Sequence, residues 1–150
     1  MSPQQPPYGT GDSSFRAAGG LDGLERLAAD FYEAMSTLPS ARRIRKMHPA
    51  DISESRERLK LFLSGWLGGP RLYQAAHGEI RLPVFHAKFP IGKDESQAWL
   101  DCMQIAVDKQ PYSADFKAYL MKQLAVPAER IRYVSEKRHR ANREQKLQSG

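Results

Sequence analysis

The chain has 150 residues, 41% hydrophobic and 27% charged, a composition that fits one globular domain around a single core. No window approaches the roughly 18 to 20 apolar residues of a membrane span, and no apolar leader opens the chain, so a cytoplasmic protein is expected. The single cysteine, Cys102, excludes an intrachain disulfide framework, and the lack of a Cys-x-x-Cys-His run excludes c-type haem attachment.

The net charge of +6 is unevenly spread, because seven Lys and Arg from Arg130 onward face only Glu136 and Glu144. A solvated tail explains this better than a nucleic-acid surface, since no aromatics are interleaved with the charge.

Residues 1–18 are expected as a disordered lead, the first 14 being rich in Pro, Gln, Gly and Ser. After Gly19-Gly20, the spacing of Leu21, Leu24, Leu27, Phe31, Met35 and Leu38 predicts a helix with Asp22 as N-cap, stopped by Pro39. A short basic helical turn, ARRIRKM, leads to His48-Pro49. Asp51-x-x-Glu54 then resembles a capping box opening a second long helix, whose stripe is Ile52, Ser55, Leu59, Phe62, Leu63, Trp66 and Leu67.

Gly78, Pro83 and Pro90 punctuate the stretch from Arg71 to Ile91, permitting only short helical pieces. A third long helix is predicted over 94–109, with Gln97 in the capping-box position and Trp99, Cys102, Met103 and Ala106 facing inward. A fourth begins near Ser113 with Phe116, Tyr119, Leu120 and Leu124. Pro127 is expected to kink or restart it, with Ile131 and Val134 following before a basic tail over 136–150. No stretch alternates at strand period, so the fold class is all-α.

One residue raises a chemical question. His86 in VFHAKF shares a helical face with Leu82, Phe85 and Phe89. A lone histidine in such a setting is ordinarily a hydrogen-bonded core residue. No His-Glu-x-x-His occurs and no second His or Cys lies one turn away, which argues against a four-ligand zinc site. A single imidazole is nonetheless sufficient where haem supplies four further nitrogens.

Taken together, FYEAM, MHPADISESR, FLSGWLGGPRLY, FHAKFPI and AWLDCM resemble the group II truncated haemoglobins, in that family's order and spacing over residues 19–135. The resemblance implies a truncated globin fold, a two-over-two helical sandwich around non-covalent haem b. It makes His86 similar to the family's proximal iron ligand and matches Tyr32, His48 and Trp99 to its distal hydrogen-bonding cage. Ser55 and Leu59 stand where many globins carry a histidine gate and its neighbour. Phe62, Trp66, Leu82, Phe85, Phe89, Ile91 and Met103 become candidate apolar walls, though ordinary core packing explains each equally well.

The chain also departs from the family. Phe85 replaces an arginine that often pairs with a propionate beside the ligand, which leaves Arg58, and more weakly Arg81, for that role. The implied function is binding of dioxygen and other diatomic ligands, as a carrier or in redox chemistry with an unidentified reductase, in a monomer or homodimer. An enzymatic side activity of nitric oxide dioxygenase or peroxidase type stays open. The alternatives are a six-coordinate haem sensor, or a haem-free basic helical module that takes nucleic acid or an acidic partner on its tail.

Overall fold

The computed structural model describes residues 8–77 and 92–148, and among these every regular element is helical. Order begins earlier than the composition predicts. Helix α1, Ser13–Ala17, lies inside the expected lead; Ser14 and Ala18 are buried, and the Phe15 N–H donates to the Leu67 carbonyl at 3.1 Å. The glycine pair at 68–69 is what allows this segment to lie close to the body. A Cβ on Gly68, whose φ is +90°, would stand 2.0 Å from the Gly11 carbonyl oxygen, and one on Gly69 would enter the Phe15 ring.

Helix α2, Gly20–Thr37, is entered through Gly19 in the left-handed region, so Asp22 sits in the first turn rather than at the cap. Leu24, Leu27, Ala28, Phe31 and Met35 are buried on its inner face, while Leu21 is exposed. A single 3₁₀ turn, Pro39–Ala41, leads into α3, Arg42–Lys46.

Helix α4, Ser53–Trp66, starts without the expected capping box. Asp51 Oδ1 accepts from the Ser53 N–H at 3.0 Å, and Glu54 turns forward to Arg58 at 2.6 Å because that cation lies one helical turn along the exposed surface. Helix α5, Leu72–His77, follows the glycine turn.

Helix α6, Lys93–Asp108, is closed at its start by Glu95, whose Oε2 accepts from the Gly92 N–H at 3.2 Å. Gln97, expected in that position, instead donates to Asp101 at 2.9 Å.

Helix α7, Ala114–Gln148, is continuous through Pro127 and runs on through the basic tail. The expected restart is absent. Proline removes one N–H, but the turns on either side are anchored: Leu124 and Ala128 are buried, and Ser96 of α6 donates to the Ala128 carbonyl at 3.5 Å.

Helix α2 packs on α4 and on α6, and α6 packs on α7, giving the expected two-over-two sandwich. Its centre is filled by Leu24, Leu27, Phe31, Met35, Leu63, Met103, Phe116, Leu120 and Leu124. At roughly 1.5 to 3 kcal/mol for each large apolar side chain removed from water, this cluster holds the sandwich together.

Candidate functional site

Four rings from three segments meet in one edge-to-face chain. Trp99 of α6 stands 5.3 Å from Phe31, Phe31 stands 5.0 Å from Tyr32, and Tyr32 stands 5.5 Å from His48, with interplanar angles of 61°, 78° and 76°. The three expected ligand-facing residues are therefore brought together, although 16 residues separate Tyr32 from His48 and 51 separate His48 from Trp99. Phe31, read from the sequence as one more member of the core stripe, is the contact that joins Trp99 to Tyr32. Each such aromatic pair contributes about 0.5 to 1.5 kcal/mol beyond burial.

Tyr32 is only 6% exposed, and burial pushes its phenol up to about 12. The hydroxyl therefore keeps its proton and stays a donor through the neutral range. Trp99 is half-buried and packs against the core, and its indole N–H can only donate.

His48 differs from the expected donor role. Its Nδ1 lies 2.8 Å from the Ile44 carbonyl, which can only accept, so Nδ1 carries the ring proton. In the neutral ring Nε2 is then an acceptor. Arg45 fastens the turn that carries this histidine, donating to the Pro49 carbonyl at 2.9 Å and the Ala50 carbonyl at 3.0 Å. Sequence reasoning missed Ile44 and Arg45 because the one accepts through its own backbone carbonyl and the other donates to two backbone carbonyls, which no residue pattern displays.

Along α4, Leu59, Phe62 and Trp66 are half-buried and pack on the core, and the Phe62 and Trp66 rings stack at 6.3 Å with 22° between their planes. Ser55 is half-buried on the same helix, one turn before Leu59. Met103 is fully buried in the central cluster. Cys102 is buried as well, and burial first, then Asp101, raises its thiol to about 11, which keeps it protonated and unreactive.

Arg58 donates to Glu54 through one terminal nitrogen, while its Nε is buried with no hydrogen-bond partner among the described residues. A buried guanidinium N–H left in this way is suited to a carboxylate. His86, Leu82, Phe85, Phe89, Ile91 and Arg81 lie outside the described residues.

The comparisons with known proteins agree with this geometry. Residues 13–132 match the family of bacterial-like globins. The chain is 33% identical over 105 residues to group 2 truncated hemoglobin YjbI of Bacillus subtilis (strain 168), covering 70% of this chain and 77% of that one. Its fold is similar to the group II 2-on-2 hemoglobin from the plant pathogen Agrobacterium tumefaciens, with a TM-score of 0.76 and 34% identity over 87% of this chain and 97% of that one. A truncated oxygen-avid haemoglobin from Bacillus subtilis aligns with a TM-score of 0.71 and 32% identity, covering 79% and 97% of the two chains. Motif order, the two-over-two packing and these matches converge: the chain belongs to the bacterial-like globins, as a group II truncated haemoglobin, a family that binds diatomic ligands at haem.

Proposed function

We propose that this globin holds haem b through His86 and binds dioxygen reversibly against Tyr32 and Trp99, releasing it slowly. The observation that carries the reading is the ring chain Trp99–Phe31–Tyr32–His48, which brings the donor-only Trp99 indole and the Tyr32 hydroxyl, a donor in its protonated form, into one cluster.

The residues present fit the cofactor. Arg58 offers a buried N–H with no partner among the described residues for a propionate, and Leu59, Phe62, Trp66 and Met103 supply apolar surface for the flat ring. When bound, haem supplies a ferrous iron at which a diatomic gas coordinates. The chain's own residues then do the selecting. A gas whose outer atom gains partial negative charge accepts from the Tyr32 O–H and the Trp99 Nε1–H, whereas neutral carbon monoxide gains little from either. His48, with its proton spent on Ile44, shapes the face and presents a lone pair that a protonated ligand can use.

A hydrogen bond to a charged group contributes about 1.5 to 3 kcal/mol, so each donor slows release by roughly ten- to a hundredfold. The oxygen-avid relative supports this direction. Slow release suits redox chemistry on the bound gas better than transport, with a reductase returning the iron to the ferrous state. This reading includes a cytoplasmic location; no helix among the described residues is long and apolar enough to cross a membrane.

The test is an absorption spectrum of the purified protein with haem added. A Soret band near ~400 to 430 nm that is lost in His86→Ala is the expected result, and its absence in the parent protein sinks the assignment.

A further inference from the structure

A cleft of about 430 Å³ opens between α3 and the start of α6, lined by Pro39, Ser40, Arg42, Arg43, Lys46 and two carboxylates, Asp94 and Glu95. None of the four rings lines it, although Ile44, whose carbonyl holds His48, forms part of its wall. Helix α3 carries four cations in five residues, and they are not equivalent.

Arg45 points to the far side, where Ser36 Oγ accepts at 3.3 Å beside the two loop carbonyls already described. Arg43 leans across the cleft onto Glu95 at 2.8 Å. That carboxylate is 8% exposed and fully used, with Oε1 on Arg43 and Oε2 on the Gly92 N–H. Glu95 therefore anchors Arg43 rather than competing for a visitor. Arg42 and Lys46, four residues apart and so on one face of the helix, are exposed and form no ion pair among the described residues.

Two free cations, a guanidinium held in position between them in sequence, and the Ser40 hydroxyl make a donor set for clustered oxyanions. Arginine favours the planar, forked geometry of phosphate, and lysine adds a point charge. The volume lies within the range of small-molecule sites, and the cleft is open to solvent on its outer side. Asp94 is the one opposing group left, and it limits how tightly an anion is held.

We propose that this cleft binds a compact phosphate-bearing small molecule, with Arg42 and Lys46 on its phosphate oxygens and Arg43, braced by Glu95, as the third donor. This site does not depend on the haem reading and is tested without it.

The experiment is isothermal titration of the full-length chain with inorganic triphosphate at low salt. One saturable site is expected, weakened about tenfold or more by Arg42→Gln with Lys46→Gln, and tightened severalfold by Asp94→Asn. Lys137→Gln, on the basic helix, should leave the affinity within about twofold. All four altered positions are exposed, and Asp94→Asn moves the affinity in the direction opposite to damage. Absence of saturable binding overturns the proposal, as does an affinity that follows Lys137 instead of the α3 pair. A short oligonucleotide that binds more tightly than triphosphate through the same two residues overturns the small-molecule assignment.

Discussion

His48 stands edge-on to Tyr32, ring centroids 5.5 Å apart, while its Nδ1 is held 2.8 Å from the Ile44 carbonyl. In the proposed ligand face this contact divides the labour. Tyr32 and Trp99 donate; His48 is oriented by backbone and, when neutral, accepts.

Unequal effects on ligand release follow. Trp99→Phe and Tyr32→Phe should each speed dioxygen release by about ten- to a hundredfold, since each removes one hydrogen bond to a partly charged atom. His48→Leu removes no donor from the neutral site and should change release less than either. Stopped-flow release rates on the three variants check this, and an effect of His48→Leu as large as that of Trp99→Phe would show that Nε2 carries the proton.

Arg58 should matter to cofactor retention rather than to gas binding. Its Nε is buried without a partner among the described residues, so a propionate carboxylate would satisfy it. Arg58→Gln should raise the rate of haem transfer to an acceptor apoprotein several-fold and leave the dioxygen release rate within about twofold. Equal haem loss in parent and variant would assign the propionate to another residue.

Alkaline pH should destabilise the fold through Tyr32. Burial raises its folded-state value from 10.0 to about 12, so between those values the unfolded chain loses the phenol proton while the folded chain keeps it. Stability is therefore fully present below about pH 10 and lost as pH rises towards 12, by about 2 to 3 kcal/mol if the whole shift is realised. Tyr112, raised to about 12 by burial against an opposing effect of Arg26, contributes in the same window. Urea unfolding at pH 9 and pH 11 should show a shallower pH dependence in Tyr32→Phe than in the parent.

Two glycines should respond in opposite directions to alanine. A Cβ on Gly23 would stand 1.9 Å from the Ala18 carbonyl oxygen, in the tight turn between α1 and α2 where that oxygen also accepts from Tyr112 at 3.1 Å. Gly23→Ala should cost about 1 to 3 kcal/mol or more. Gly65 lies inside α4 with only an ordinary 3.5 Å contact to Arg71, so Gly65→Ala should be neutral or stabilising by up to about 1 kcal/mol. Chemical denaturation midpoints decide both.

Much of the architecture was legible before any coordinates. The stripe on 24–35 and the inner face of 99–106 produce their helices because apolar side chains at 3.6-residue spacing have one way to leave water together. The helix ends were read less well. Gly19 displaces Asp22, and Glu95 displaces Gln97, because capping depends on which side chain reaches a free N–H, and several neighbours of similar type compete within one turn. Pro127 misled for a related reason: a local rule that breaks an isolated helix was outweighed by burial on both sides of it.

The sequence alone determined the family, through motifs whose order and spacing survive translation into any coordinates, and it named Tyr32, His48 and Trp99 as belonging together. Only the tertiary structure decided what each can do. Proton placement on His48 depends on the Ile44 carbonyl, the junction of Tyr32 with Trp99 depends on Phe31, and the two unpaired cations on α3 stand out only after Arg43 and Arg45 have found their partners. Carbonyl oxygens and side-chain directions carry no letter in a sequence, and they set the hydrogen bonds on which the chemistry rests.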